Sequence, residues 1–201
     1  MLLPAISATR PALAQEKVLR AVLHADVRVL DPFWTTATIA GIHGMLVYDT
    51  LFGNDSTLSP KPQMVDTYEI SADKLTYSFT LRAGLKFHDG KPVRTSDVIA
   101  SLKRWAVKDG VGQRLFSFIT TLEAVDDKTF RMVLSAPYGM VLESLGKTGT
   151  SVPIIMREAD ALTDPNTQIK EAIDKLKIEL VRLQRDGKLD KVAKPGAVLA
   201  T

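Results

Sequence analysis

The sequence predicts an α/β domain of mixed α+β type, in which strands and helices follow one another without a regular βαβ repeat. Two segments carry this prediction. In residues 75–82, threonine and serine alternate with tyrosine, phenylalanine and leucine, a period of two that is typical of a strand with one buried face. Residues 95–107 carry apolar side chains at helical spacing behind Thr95, whose hydroxyl is suited to capping a helix. With 201 residues, 45% of them hydrophobic, the chain is long enough for one core.

The same two segments predict which side chains form that core. The strand should direct alternate apolar residues inward, and the helix should pack its apolar face against them. The residues expected on these two faces are Tyr77, Phe79, Leu81, Ile99, Leu102 and Trp105. Between the segments, Asp89-Gly90 and Lys91-Pro92 break any regular element, so a turn should connect them.

The region before this strand is predicted to contain another strand, a turn and a helix. Residues 18–29 are interpreted as strand-rich and end at Leu30-Asp31-Pro32, because proline pushes the preceding residue away from the helical conformation. Residues 38–52 predict a helix that Gly53-Asn54 stops. Its apolar side is expected to consist of Ile39, Ile42, Leu46 and Leu51.

The region after the capped helix is predicted to contain a short helix near residues 112–120, a hairpin and a further helix. Residues 122–125 and 129–134 flank Asp126-Asp127-Lys128, whose composition indicates a hairpin with a solvated tip rather than a metal site. Residues 138–145 then predict a helix that Gly146 ends.

The C-terminal tail has the pattern of an amphipathic helix over residues 167–185. Apolar residues recur there at spacings of four and three, and the other faces are charged. This apolar seam consists of Ile169, Ile173, Leu176, Leu180 and Leu183. We expect the seam to dock on apolar surface of the body. Pairing between chains is the alternative, for which two heptads of coiled-coil character are short.

Composition and missing motifs argue against several functions. A net charge of +3, without a basic run interleaved with aromatic residues, argues against nucleic acid as a partner. The chain has no cysteine, and no apolar run approaches the length of a membrane-spanning helix. His24, His43 and His88 fall on different predicted elements, and no catalytic or metal-binding motif occurs. We therefore expect no enzyme, no cofactor and no metal site.

One long stretch resembles a known family. Residues 70–105 read ISADKLTYSFTLRAGLKFHDGKPVRTSDVIASLKRW and closely resemble the signature region of the family 5 extracellular solute-binding proteins, the peptide and nickel receptors of ABC importers. The resemblance extends upstream through VLRAVLHADVRVLDPFWTTATIAGIHGMLVYDTLF and downstream to TDPNTQIKE, just before the crossover into the family's second lobe. It implies a periplasmic-binding-protein-like partial first lobe, followed here by the C-terminal amphipathic helix.

The resemblance divides the chain into three parts. Residues 1–16 are interpreted as a residual signal-like or disordered segment, because Ala12-Leu13-Ala14 has the small-x-small pattern of a signal-peptidase site. Residues 17–171 resemble part of lobe one, and residues 172–201 are expected to contain the amphipathic helix and a flexible tail. The family implies a periplasmic location, although the export signal within this chain is incomplete.

The resemblance also implies where a ligand would bind. In family 5 receptors the solute is enclosed between two lobes, and lobe one contributes the turn after its first strand and its first helix. The corresponding residues here are Trp34, Thr35, Thr36, His43 and Tyr48. Weaker candidates near the lobe boundary are Gly149, Thr150, Ser151 and Val152.

The implied function is the substrate-binding component of an ABC-type peptide or solute import system. Its partners would be a peptide or other small solute and the ABC permease subunits. Because the sequence lacks the second lobe, we expect it to be truncated and autonomous ligand binding to be weak or lost. The alternative is a single-lobe interaction module without a transport ligand, whose C-terminal helix binds a partner or self-associates.

Overall fold

The computed structural model describes residue 25 and residues 27–164. The predicted segment 1–16 and the predicted tail helix lie outside the described residues. The helices are α1 (Thr38–Val47), α2 (Thr95–Lys108), α3 (Gly110–Phe116), α4 (Val141–Leu145) and α5 (Glu158–Ala161). The strands are β1 (Asp49–Thr50), β2 (Phe52–Asn54), β3 (Pro60–Pro62), β4 (Val65–Ile70), β5 (Thr76–Leu81), β6 (Ile119–Ala124), β7 (Thr129–Leu134) and β8 (Ile154–Ile155). None of the described helices is long and apolar enough to span a bilayer.

A four-stranded antiparallel sheet with the order β4-β5-β7-β6 forms the centre of the described fold. Every second residue of β5 is buried, so Tyr77, Phe79 and Leu81 face the core as predicted. The neighbouring strand β7 places Phe130 opposite Phe79, with the two ring centroids 4.9 Å apart. The predicted strand and its buried face are therefore confirmed.

Helix α2 completes this core. Leu102 and Trp105 are fully buried in the same apolar cluster as β5, and Ile99 packs against that cluster from a half-buried position. The predicted amphipathic helix and its apolar face are confirmed. Helices and antiparallel strands thus share one core, as expected for the mixed α+β class.

The start of α2 differs from the prediction. The hydroxyl of Thr95 does not cap the helix but donates a hydrogen bond to the backbone carbonyl of Asp126, at 2.6 Å. The capping contact comes from Asp97, whose carboxylate accepts the backbone N–H of Arg94 at 2.8 Å. Thr95 therefore ties the helix to the hairpin of β6 and β7.

The N-terminal part of the fold differs from the prediction in two ways. Residues 27–30 form no strand, and α1 ends at Val47 rather than continuing to residue 52. The helix ends there because Tyr48 has an extended backbone and Asp49–Thr50 pairs with Ile154–Ile155 in an antiparallel ladder. Such long-range pairing overrides local helix propensity.

The apolar side predicted for this helix is also wrong. Ile39 is buried as expected, but Ile42 and Leu46 are exposed, and Leu51 reaches the core from outside the helix. The inner face of α1 instead packs around Gly44, where a Cβ atom would lie 2.9 Å from the Cβ of Pro32. The close packing of Pro32 on Gly44 determines which side of α1 is buried.

The remaining elements follow the prediction with shifted ends. The carboxylate of Asp126 closes the β6–β7 hairpin by accepting the backbone N–H groups of Lys128 and Thr129. Helix α3 begins earlier than predicted, because Asp109 accepts two backbone N–H groups in its first turn. Helix α4 is shorter than predicted and ends at Gly146, as expected.

Candidate ligand-binding site

A buried polar stripe on α2 organises the region around the predicted site. Asp97, Ser101 and Arg104 recur at helical spacing, and all three side chains are buried. Asp97 accepts the backbone N–H of Glu158 at 2.8 Å, and the Ser101 hydroxyl accepts that of Met156 at 2.9 Å. These bonds hold the segment that contains β8 and α5 against α2.

Arg104 makes the strongest of these connections. One of its terminal nitrogens lies 2.9 Å from the carboxylate of Asp31, and the two side chains are only 1% and 0% exposed. The other terminal nitrogen donates to the carbonyl of Thr163 at 2.6 Å. Asp31 also accepts the backbone N–H of Phe33 at 3.0 Å. A single guanidinium thus joins the turn before α1 to the end of the described chain.

Three of the predicted site residues lie together on this anchored turn and directly after it. The backbone N–H of Trp34 donates to the carbonyl of Asp31 at 3.1 Å, and Trp34 as a residue is 39% exposed. The Nζ of Lys108 lies 5.6 Å from the centre of the indole ring, within the range of a cation–π contact. Thr35 is half-buried and accepts the N–H of Ala37 at 3.1 Å, while Thr36 is exposed.

The other two predicted residues are less accessible. His43 lies on the buried face of α1, and burial lowers its pKa. Tyr48 is half-buried against the core, and burial raises its pKa, with further contributions from the charges of Asp31 and Asp160. The structure therefore places Trp34, Thr35 and Thr36 in one short stretch before α1 and His43 in the interior.

The weaker candidates form a loop beside α1. The carbonyl of Gly149 lies 3.8 Å from the position that a Cβ atom of Gly41 would occupy. The Trp105 indole donates to the carbonyl of Ser151 at 2.6 Å, so the buried core fixes this loop. Gly149 and Thr150 are exposed, whereas Ser151 and Val152 are buried.

A cavity of about 320 Å³ lies elsewhere, between the turn before α2 and the start of α5. Its basic side chains already have acidic neighbours. Arg157 lies 3.2 Å from Asp89, and Arg94 lies 3.9 Å from Asp127. These pairs reduce the net positive charge that the cavity presents to a ligand.

The exposed turn offers an aromatic ring, hydroxyl groups and a neighbouring ammonium group, which suit the binding of a polar solute. Within residues 25 and 27–164, no three acidic, histidine or cysteine side chains are grouped as metal ligands. Asp89, next to His88, is paired with Arg157 and Lys91.

Sequence patterns did not single out Asp31, Arg104 or Lys108 as parts of this region. A signal for Arg104 was present, because polar residues recur at helical spacing with Asp97 and Ser101 on an otherwise amphipathic helix. No sequence pattern indicated that Lys108 would lie over Trp34, since that contact depends on the tertiary fold.

The burial of His43 predicts a pH dependence of stability. Because burial lowers its pKa from 6.5, the unfolded chain binds this proton more tightly than the folded chain. The folded state should therefore lose stability as the pH falls below 6.5 and through the lowered pKa. We expect a His43→Asn variant to lose less stability than the parent between about pH 7.5 and about pH 5.5, measured as urea midpoints. His24 and His88 are present in both proteins, and equal losses would contradict the prediction.

Comparison with solved structures identifies the class of the fold. The periplasmic binding protein AgaA from A. tumefaciens R10, solved in complex with agropinic acid, has a similar fold with a TM-score of 0.58 and 26% identity. The match covers 71% of this chain and 29% of AgaA. The described fold is therefore that of part of a periplasmic binding protein, which confirms the predicted fold class.

Sequence comparisons identify the family. The model of the bacterial extracellular solute-binding proteins, family 5, middle region, matches residues 59–176. The probable peptide ABC transporter periplasmic-binding protein y4tO of Sinorhizobium fredii is 42% identical over 166 residues, which are 83% of this chain and 30% of that protein. The glutathione-binding protein GsiB of Salmonella choleraesuis is 33% identical over 144 residues, 71% of this chain and 28% of that protein.

The chain belongs to family 5 of the bacterial extracellular solute-binding proteins. It spans about 30% of the length of the curated relatives it matches. The predicted family is confirmed, and it is a family of solute-binding proteins rather than enzymes.

Proposed function

We propose that this chain supplies part of the first lobe of a substrate-binding protein of an ABC importer, and that it works in the periplasm with ABC permease subunits. Its ligand would be a small peptide or peptide-like solute. The names of its relatives support this class, since y4tO is described as a probable peptide-binding protein and GsiB as a glutathione-binding protein.

The observation that carries the proposal is the exposed turn at Trp34, anchored from below by the buried pair of Asp31 and Arg104. A rigidly held aromatic ring gives a ligand contact area without a large loss of side-chain entropy. Thr36 adds an exposed hydroxyl, and the ammonium group of Lys108 lies over the aromatic ring. Thr35, Tyr48 and residues 149–150 would extend this surface, with His43 supporting it from the interior.

An NMR titration of the labelled chain tests the proposal. Trialanine and glutathione, added at millimolar concentration, should shift the amide signals of Trp34, Thr35, Thr36 and Gly149. The signals of Asp126 and Asp127 at the remote hairpin tip should not move. A Trp34→Ala variant should lose most of the shifts while retaining the dispersed spectrum of a folded protein. Shifts confined to other surfaces, or unchanged shifts in the variant, would contradict this site.

A further inference from the structure

Helix α1 is apolar on all sides, although only one side is covered. Its sequence, TIAGIHGMLV, has no charged residue. The inner side is buried, whereas Ile42, Met45 and Leu46 are 39%, 56% and 74% exposed and follow one another at helical spacing on the outer side. We call these three residues the outer face of α1. A helix that is apolar all round is normally covered all round, so the outer face calls for a partner.

The sequence contains a second apolar stripe of the same kind. The seam of the tail begins at Ile169 and continues through Ile173 and Leu176. These residues lie outside the described part of the chain, and their helix is a prediction from the sequence. Each stripe would remove apolar area from water if it packed against the other.

The end of the described chain brings the tail close to α1. The carbonyl of Thr163 is held by Arg104, the same guanidinium that binds Asp31. Pro32, the next residue after Asp31, packs directly on Gly44 in α1. The tail therefore departs from a point that is linked to α1 through Arg104, Asp31 and Pro32.

The connection is short, so the start of the seam stays near the end of the described chain, which is linked to α1. Four residues, 165–168, separate the described chain from the start of the seam; with residues 167 and 168 in the predicted helix, they span up to about 10 Å. A helix with its side chains is about 10–12 Å across. The seam from Ile169 to Leu176 rises by about 10 Å in a helix, which suits the length of α1, about 15 Å.

We propose that the tail of this chain folds back and docks the first half of its apolar seam, Ile169 to Leu176, on the outer face of α1. The contact is intramolecular, and it removes both the outer face of α1 and the seam of the tail from water. In this arrangement the seam needs no second chain, because its partner is tethered next to it.

A pair of engineered cysteines tests this docking in the full-length chain. The sequence has no cysteine, so Leu46→Cys and Leu176→Cys together introduce the only two thiols. In the docked arrangement these positions should form a disulfide within one chain under mild oxidation. A tethered partner has an effective concentration of about millimolar. The rate of disulfide formation within one chain should therefore not change when the protein is diluted by about tenfold or about a hundredfold.

Two matched controls separate docking from random encounters of a tethered tail. Leu46→Cys with Asp174→Cys places the second thiol on the opposite side of the predicted tail helix at nearly the same tether length. Val125→Cys with Leu176→Cys moves the first thiol to an exposed apolar residue near the hairpin tip. Both controls should cross-link at least about tenfold more slowly, because a disulfide requires Cα atoms within about 7 Å.

Each alternative outcome would overturn the proposal. Equal rates in the test pair and the controls would mean a tail that does not dock, and so would no cross-link in any of them. Cross-linked dimers whose formation slows on dilution would assign the outer face of α1 to a second copy of the chain. Circular dichroism and the fluorescence of buried Trp105 verify that each variant is folded before oxidation.

Discussion

Replacement of Arg104 by methionine is expected to lower the free energy of unfolding by about 3–5 kcal/mol, the usual effect of removing one partner of a buried ion pair. The variant would leave the carboxylate of Asp31 in the interior without its cation, since both side chains are almost completely buried. It would also remove the donor to the carbonyl of Thr163. Urea denaturation followed by fluorescence measures this change.

Arg131 provides a matched control for this substitution. It pairs with Glu123 across β6 and β7, but both side chains are about half exposed. Because water solvates an exposed pair well, Arg131→Met should change stability by less than about 1 kcal/mol. If the two substitutions lowered the free energy of unfolding equally, the buried Asp31–Arg104 pair would contribute no more to stability than an exposed pair.

The same variant should loosen the candidate site. Asp31 holds the turn that carries Trp34 through its side chain and its carbonyl. Trp34 is exposed while Trp105 is fully buried, so an added quencher such as acrylamide should reach Trp34 first. In folded Arg104→Met protein, quenching of Trp34 should increase while Trp105 stays protected. Unchanged quenching would mean that other contacts hold the turn.

The sequence predicted the elements whose signals are local. Strand β5 has a strict period of two, and α2 has a wide apolar face, so both could be located together with their buried residues. The end of α1 could not be predicted in this way, because Asp49–Thr50 forms a ladder with Ile154–Ile155, far away in the chain. The residues next to Asp49–Thr50 in the sequence do not indicate which distant strand will pair with it.

In the candidate site, too, some features could be predicted from the sequence and others depend on tertiary packing. The resemblance to the family singled out Trp34, Thr35 and Thr36, which the fold gathers on one stretch before α1. The depth of His43 depends on which side of α1 meets Pro32, and this is decided by packing at Gly44. Hydrophobic periodicity assigned that side incorrectly, because α1 is apolar on every side and has almost no preferred face.

The polypeptide of residues 1–201 is expected to bind di- and tripeptides only weakly. The candidate surface around Trp34 is open, and receptors of this architecture gain affinity by closing two lobes over the ligand. An open face leaves the charged ends of a peptide hydrated and poorly fixed. Each charge-assisted hydrogen bond that is not formed forfeits about 1.5–3 kcal/mol, and about 1.4 kcal/mol corresponds to a tenfold change in affinity. Two or three missing bonds therefore reduce affinity by several orders of magnitude.

Calorimetry with a set of di- and tripeptides measures this affinity, with Trp34→Ala as the control for binding at the proposed surface. We expect dissociation constants in the millimolar range and weaker binding still in the variant, because the variant removes the largest exposed contact on the turn. Micromolar or tighter binding by monomeric protein would contradict the open-face argument, since it would mean that these residues alone enclose a ligand. Tight binding that rises with protein concentration would instead show that a second copy covers the open side, and the alternative of self-association would then account for the affinity.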